Sequence, residues 1–172
     1  MHWFLVCLSL VMAVARPAAA GVCLDWAARI APLFEVPPTL LQAIVLAESG
    51  DHPFALNIDG RSYFPSSAAE ASAVLARTAG ATRADIGCAQ VSMRFHARFF
   101  EGVADGPFDP PRNLAYAAWL LKNHHRRHGS WALAVAHYHS ATPELQLGYV
   151  CRVIDQLARL TGREGGCGQA GG

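Results

Sequence analysis

Apolar positions recur along this chain at helical spacing, broken by Pro, Gly and capping residues at intervals that divide it into short helices. Cys23 to Phe34 carries one such stripe, which Pro37-Pro38 stops. Thr39 and Gln42 have the spacing of a capping box and open a helix from Leu40 to Ser49, with Gly50 as its stop. Leu40, Leu41, Ala43, Ile44, Val45, Leu46 and Ala47 make that helix apolar nearly all round, so it should be buried. Ala55–Ile58 and Arg61–Phe64 flank Asp59-Gly60, a strong two-residue hairpin signal. Ser67 and Glu70 form a second capping box, starting a helix to about Ala79. A short helix is expected over Ser92–Phe100, and Asp109-Pro110 begins a longer one running to His128, with Gly129 as its stop. Ser130 caps a helix to about His139, and Thr142-Pro143-Glu144 opens the last, ending at Gly162. The expected fold is mainly α, a single helical domain over 21–162 with one small β-hairpin, followed by a Gly-rich, disordered tail over 163–172.

The start of the chain has a different pattern. Trp3 to Ala15 is an apolar run too short to span a bilayer, followed by Ala18-Ala19-Ala20. Residues 1–20 thus read as a signal peptide, and the protein as periplasmic or secreted. Ala20-Gly21-Val22 before Cys23 does not resemble a lipoprotein cleavage box, so no membrane anchor is expected. Of 14 basic side chains, Arg16 falls in that leader, leaving 13 against 13 acidic ones. That balance lacks the electrostatic footprint of a nucleic-acid binder. Cys23, Cys88, Cys151 and Cys167 remain, and export would allow disulfides among them. Four cysteines permit three pairings; Cys23 with Cys151 or Cys167 is the preferred expectation, leaving Cys88 as a small buried hydrophobe.

Candidate chemistry centres on Glu48, in the last turn of the apolar helix. The negative end of the helix dipole and burial both disfavour its charged form. Both effects suit a carboxyl that must hold a proton near neutral pH and act as a general acid. A solvated carboxylate at a helix end is the plainer alternative.

Four segments resemble, in order, the motifs of the soluble lytic transglycosylase (SLT) family, which has a goose-lysozyme-like α domain. Ala47-Glu48-Ser49-Gly50 is similar to its Glu-Ser motif, and Ile86-Gly87-Cys88-Ala89-Gln90-Val91 to its Gly-Leu-Met-Gln motif. Phe108-Asp109-Pro110-Pro111-Arg112-Asn113 is similar to its Phe-Asp-Pro-x-x-Asn helix start, and Ala134–His139 to its Ala-x-x-Tyr-Asn motif. The hairpin and Tyr138-His139-Ser140-Ala141-Thr142-Pro143-Glu144 resemble a small single-domain proteobacterial branch. Cys88-Ala89 stands where the family has Leu-Met, and His139 where it has Asn.

The resemblance implies cleavage of the MurNAc–GlcNAc β-1,4 bond of peptidoglycan without water. Glu48 would protonate the leaving oxygen, then deprotonate the sugar's own C6 hydroxyl, closing a 1,6-anhydro ring. No cofactor, metal or second carboxylate is then required. Ser49 and Tyr138 would orient Glu48, Gln90 would bind N-acetyl or hydroxyl groups, and His139, aligned with the family's Asn, would face the groove. Tyr63, Phe64 and Phe95 are candidates for sugar-stacking walls or for the core. The His124-His125-Arg126-Arg127-His128 cluster complements the end of its helix dipole. Two rival readings remain. One is a hydrolytic muramidase using Asp51 or Asp59 as a second carboxylate, although Asp59 has the context of a turn residue. The other is a non-catalytic peptidoglycan-binding protein. Small members of the family often serve a secretion, conjugation or flagellar machine, which implies such a partner here.

Overall fold

A computed structural model describes residues 21–103, 105–163 and 166–167. The expected leader over 1–20 and most of the tail over 163–172 lie outside the described residues. The helices are α1 (Val22–Ile30), α2 (Pro38–Glu48), α3 (Ala68–Arg77), α4 (Met93–His96), α5 (Pro110–His128), α6 (Trp131–His139) and α7 (Pro143–Thr161). Short 3₁₀ turns follow α1 and α4 and precede α5.

Local chemistry explains most of these boundaries. The Ser130 hydroxyl accepts from Leu133 N (3.2 Å) and starts α6. Gly129 and Gly162 end α5 and α7 in the left-handed conformation. The Ser67 hydroxyl accepts from Glu70 N (3.2 Å), while the Glu70 carboxylate reaches back to Ser66 N (2.8 Å), so this box closes one residue upstream of the expected one. The Thr39–Gln42 box does not form. Pro37 stands at the N-cap with Pro38 as first helical residue, and Gln42 instead donates to the Leu24 carbonyl of α1 (3.2 Å). The fixed φ of proline starts the helix before Thr39 can cap it.

Leu40, Leu41, Ala43, Ile44 and Val45 of α2 are buried as their pattern demands. The helix packs against α1 and α7, and α5 and α6 close the main core around them. The expected hairpin is present as β1 (Leu56–Ile58) and β2 (Arg61–Tyr63). It is half of a larger sheet, because β3 (Ala84–Ile86) and β4 (Val91–Ser92) extend it in the antiparallel order β2-β1-β3-β4. Leu56, Ile58 and Ile86 bury one face against Ala71 and Val74 of α3 and against Phe108, forming a second small core.

The cysteine pairing differs from the expectation. Cys23 joins Cys88, and Cys151 joins Cys167. Cys88 is therefore buried as half of a disulfide that ties the start of α1 to the β3–β4 turn, and Cys167 is tethered to α7. No helix among the described residues is long and apolar enough to cross a membrane.

Candidate active site

A cleft of about 710 Å³ opens between the end of α2, the sheet, and α4 to α7, and Glu48 lines it together with Gln90, Tyr138 and His139. Glu48 ends α2, so the buried helix delivers its carboxyl to the cleft. Burial is the main cause that pushes its pKa up to about 7. Asp85 and Arg152, both in the cleft, act in opposite directions: Asp85 raises the value and Arg152 lowers it. The nearby Tyr149 hydroxyl also lowers it. The buried Tyr149 hydroxyl makes no hydrogen bond among the described residues.

Ser49 and Tyr138 do not orient Glu48 by direct hydrogen bonds, contrary to expectation. The Ser49 hydroxyl donates to the carbonyls of Cys88 (2.8 Å) and Val45 (3.3 Å). The Tyr138 hydroxyl donates to the Ala89 carbonyl (2.8 Å). Both side chains instead hold the turn at 87–90 against the helices. Asn113 of α5 completes the clamp: its amide oxygen accepts from Ala89 N (3.0 Å), and its amide nitrogen donates to Ile86 O (2.9 Å) and Pro107 O (3.0 Å). Asn113 is fully buried with its polar atoms engaged, as a buried amide must be.

Gln90 is left-handed at φ 47, and its side-chain nitrogen is bound to the carbonyls of Ala55 (2.9 Å) and Gly87 (3.0 Å). Its role is partly the turn-capping one. The amide oxygen is the atom that remains to meet a ligand in the cleft.

Gly87 is the tightest point of this turn. A Cβ there would lie 2.5 Å from Asn113 Nδ2 and 2.7 Å from the Pro107 carbonyl, at φ +82. Gly87→Ala is expected to cost about 3 kcal/mol of stability, from overlap with the backbone and left-handed strain. Urea denaturation checks this; a loss below about 1 kcal/mol contradicts the tight packing.

Strand alternation sorts the aromatic candidates. Ser62 and Phe64 line the cleft, whereas Tyr63 between them packs against the small core. Tyr63 is therefore not a cleft wall. Phe64 and Phe95 both line the cleft and are exposed. His139 stacks flat on Tyr149, with ring centroids 4.3 Å apart. His124 and His137 also line the cleft, and His137 stacks face to face with His128 at 3.8 Å.

The rival second carboxylates lie elsewhere. Asp51 accepts hydrogen bonds from the backbone nitrogens of Gly21 and Leu24, at the start of α1. Asp59 accepts from Thr82 N, Thr82 Oγ1 and Arg83 N, which fix the hairpin turn. Neither lines the cleft. Asp85 of β3 does: it is half-buried, desolvation raises its pKa, and Arg83 lies 3.6 Å away. Sequence reasoning missed Asp85 and Tyr149. Asp85 sits on a three-residue strand without a pattern of its own. Tyr149 lies within the last long helix, where nothing local sets it apart.

These elements make a helical domain whose buried helix ends in a carboxyl of raised pKa at a cleft floored by a clamped turn. The chain belongs to the SLT transglycosylase family: the family model described as Transglycosylase SLT domain matches residues 27–146, well over half of the chain. Its domain is peptidoglycan-acting, of the lytic transglycosylase type. No curated protein and no solved structure matches the chain.

Proposed function

We propose that this protein is a peptidoglycan lytic transglycosylase in which Glu48 serves first as acid and then as base. The observation that carries the reading is the Glu48 carboxyl, placed in the cleft with its pKa raised to about 7. At neutral pH a large fraction of it is protonated and can donate to the bridging oxygen between two sugars. The anion left behind then takes the proton of the C6 hydroxyl on the same sugar. That oxygen attacks the anomeric carbon and closes the 1,6-anhydro ring as the glycosidic bond breaks. The nucleophile is part of the substrate and is present at high effective concentration. Gln90, through its amide oxygen, and His139 are the candidates to contact the N-acetyl or hydroxyl groups, with Phe64 and Phe95 as apolar walls. Ser49 and Tyr138 act at one remove, by holding the 87–90 turn.

The reading places the enzyme outside the cytoplasm, where its polymer lies and where two disulfides persist. Service to an envelope-spanning machine is a further part of the proposal.

Asp85 gives a hydrolytic alternative a specific basis, since two carboxyl groups in one cleft are the equipment of an ordinary glycosidase. Mass spectrometry of digested peptidoglycan separates the two. Products lacking water and ending in 1,6-anhydroMurNAc are expected; reducing ends that have gained water would establish hydrolysis instead.

A further inference from the structure

Beyond Phe95, the aromatic side chains Phe99, Tyr116 and Trp119 beside one lip of the cleft have no part in the chemistry above. Leu120 and His124 of α5 line the cleft, and Tyr116 lies one turn before Leu120 on the same helix face. The Tyr116 hydroxyl meets His96 Nδ1 at 3.0 Å, and His96 lines the cleft beside Phe95. Trp119 stacks on Tyr116 with centroids 5.4 Å apart and planes at 25°. Phe99 packs on Tyr116 at 4.2 Å and 31°. Tyr116 is partly buried and packs against the main core, but the rings around it are not core: Phe95, Phe99 and Trp119 are 71%, 47% and 48% exposed.

A contiguous set of exposed aromatic rings is uncommon on a soluble domain and marks a contact surface. Three observations favour a sugar polymer as its occupant. The patch is continuous with the cleft through Phe95 and His96, so a ligand leaving the cleft would run onto it. The exposed groups are mainly flat rings, whose faces suit the apolar C–H faces of pyranose rings, and the Tyr116–His96 bond holds the central ring in place. The cleft volume is also that of a pocket for a few rings, while the polymer is much longer.

We propose that Phe99, Tyr116 and Trp119 form an aromatic ledge that binds the glycan strand where it leaves the cleft past Phe95. The choice of glycan as occupant rests on the lytic reading above. The ledge increases affinity for long strands over short ones.

The test uses the Glu48→Gln protein, which holds strands without cutting them, and peptide-free glycan strands of graded length. Binding is measured by calorimetry, and cutting of whole sacculi by the unsubstituted protein is followed in parallel. Affinity is expected to rise with strand length. Trp119→Ala and Phe99→Ala should each weaken binding of long strands roughly five- to tenfold and flatten the length dependence. Trp119→Phe, which keeps a ring face, should restore most of it. Near-ultraviolet circular dichroism and melting curves show that each variant is folded. The ledge is overturned if length dependence survives both alanine changes, if short and long strands weaken equally, or if the Glu48→Gln protein binds no glycan. A surface that captures only a protein overturns it as well. If ledge-dependent binding appears but the unsubstituted protein cuts nothing, the ledge stands and the lytic reading fails. If the protein cuts sacculi and the alanine changes leave strand binding untouched, the lytic reading stands and the ledge fails.

Discussion

Glu48→Gln is expected to lower the rate of glycan cleavage roughly a thousandfold while the protein stays folded. Glutamine keeps the shape and the burial of the side chain, but it can neither donate nor remove the proton. The same substitution has a second signature, in stability. Glu48 ionises near 4.5 in the unfolded chain and near 7 in the folded one. Below pH 4.5 both states carry the proton, and the folded protein bears no penalty. As pH rises from 4.5 to 7 the unfolded chain releases its proton first, so stability falls; above 7 the loss is complete. The full loss is at most about 3 kcal/mol. Glu48→Gln cannot ionise, so its melting temperature should exceed that of the parent by more at pH 8 than at pH 4.5. The parent's kcat/KM should decline as pH rises through about 7, when the acid form is lost. An equal melting difference at both pH values, or unchanged cleavage, would remove Glu48 from its role.

Loss of the Cys23–Cys88 bridge should have the next largest effect. The bridge closes a loop across 65 positions, for which the loss of chain entropy corresponds to about 4 kcal/mol. The Cys151–Cys167 bridge spans 16 and corresponds to about 3 kcal/mol. The two differ more in position than in size. Cys88 lies inside the turn clamped by Ser49, Asn113 and Tyr138, and its own carbonyl accepts the Ser49 bond. The Cys23→Ala/Cys88→Ala protein should therefore lose activity even at temperatures where it remains folded, whereas Cys151→Ala/Cys167→Ala should mainly lose stability. Urea curves and turnover on sacculi, measured on both double variants, check this. Full activity in the folded Cys23→Ala/Cys88→Ala protein would show that the turn holds its shape without the bridge.

Those two predictions differ in how far the sequence foreshadowed them. Glu48 was legible because its signals are local: an apolar helix, a Gly stop and a carboxyl in the final turn. The partners of Cys23 and Cys88 were not, since nothing near either cysteine distinguishes among three pairings. Tyr63 and Phe64 show the same limit on a smaller scale. The hairpin was readable from Asp59-Gly60, but which of two adjacent rings faces the cleft depended on how the sheet lies against α3.

The sequence by itself determined the helical segments, the hairpin turn and the place of the Glu48 carboxyl at the end of its helix. Each depends on interactions within a few residues, such as Ser130 with Leu133 or the left-handed turn at Gly129. Packing between distant segments decided the disulfides, the two added strands, and the entry of Asp85 into the cleft. It also redirected Ser49, Tyr138 and Gln42, whose hydrogen bonds go to carbonyls 39, 49 and 18 residues away. A hydroxyl or amide bonds to whichever buried carbonyl the fold brings to it, because a carbonyl left unpaired in the core costs more than a bond to the expected partner returns.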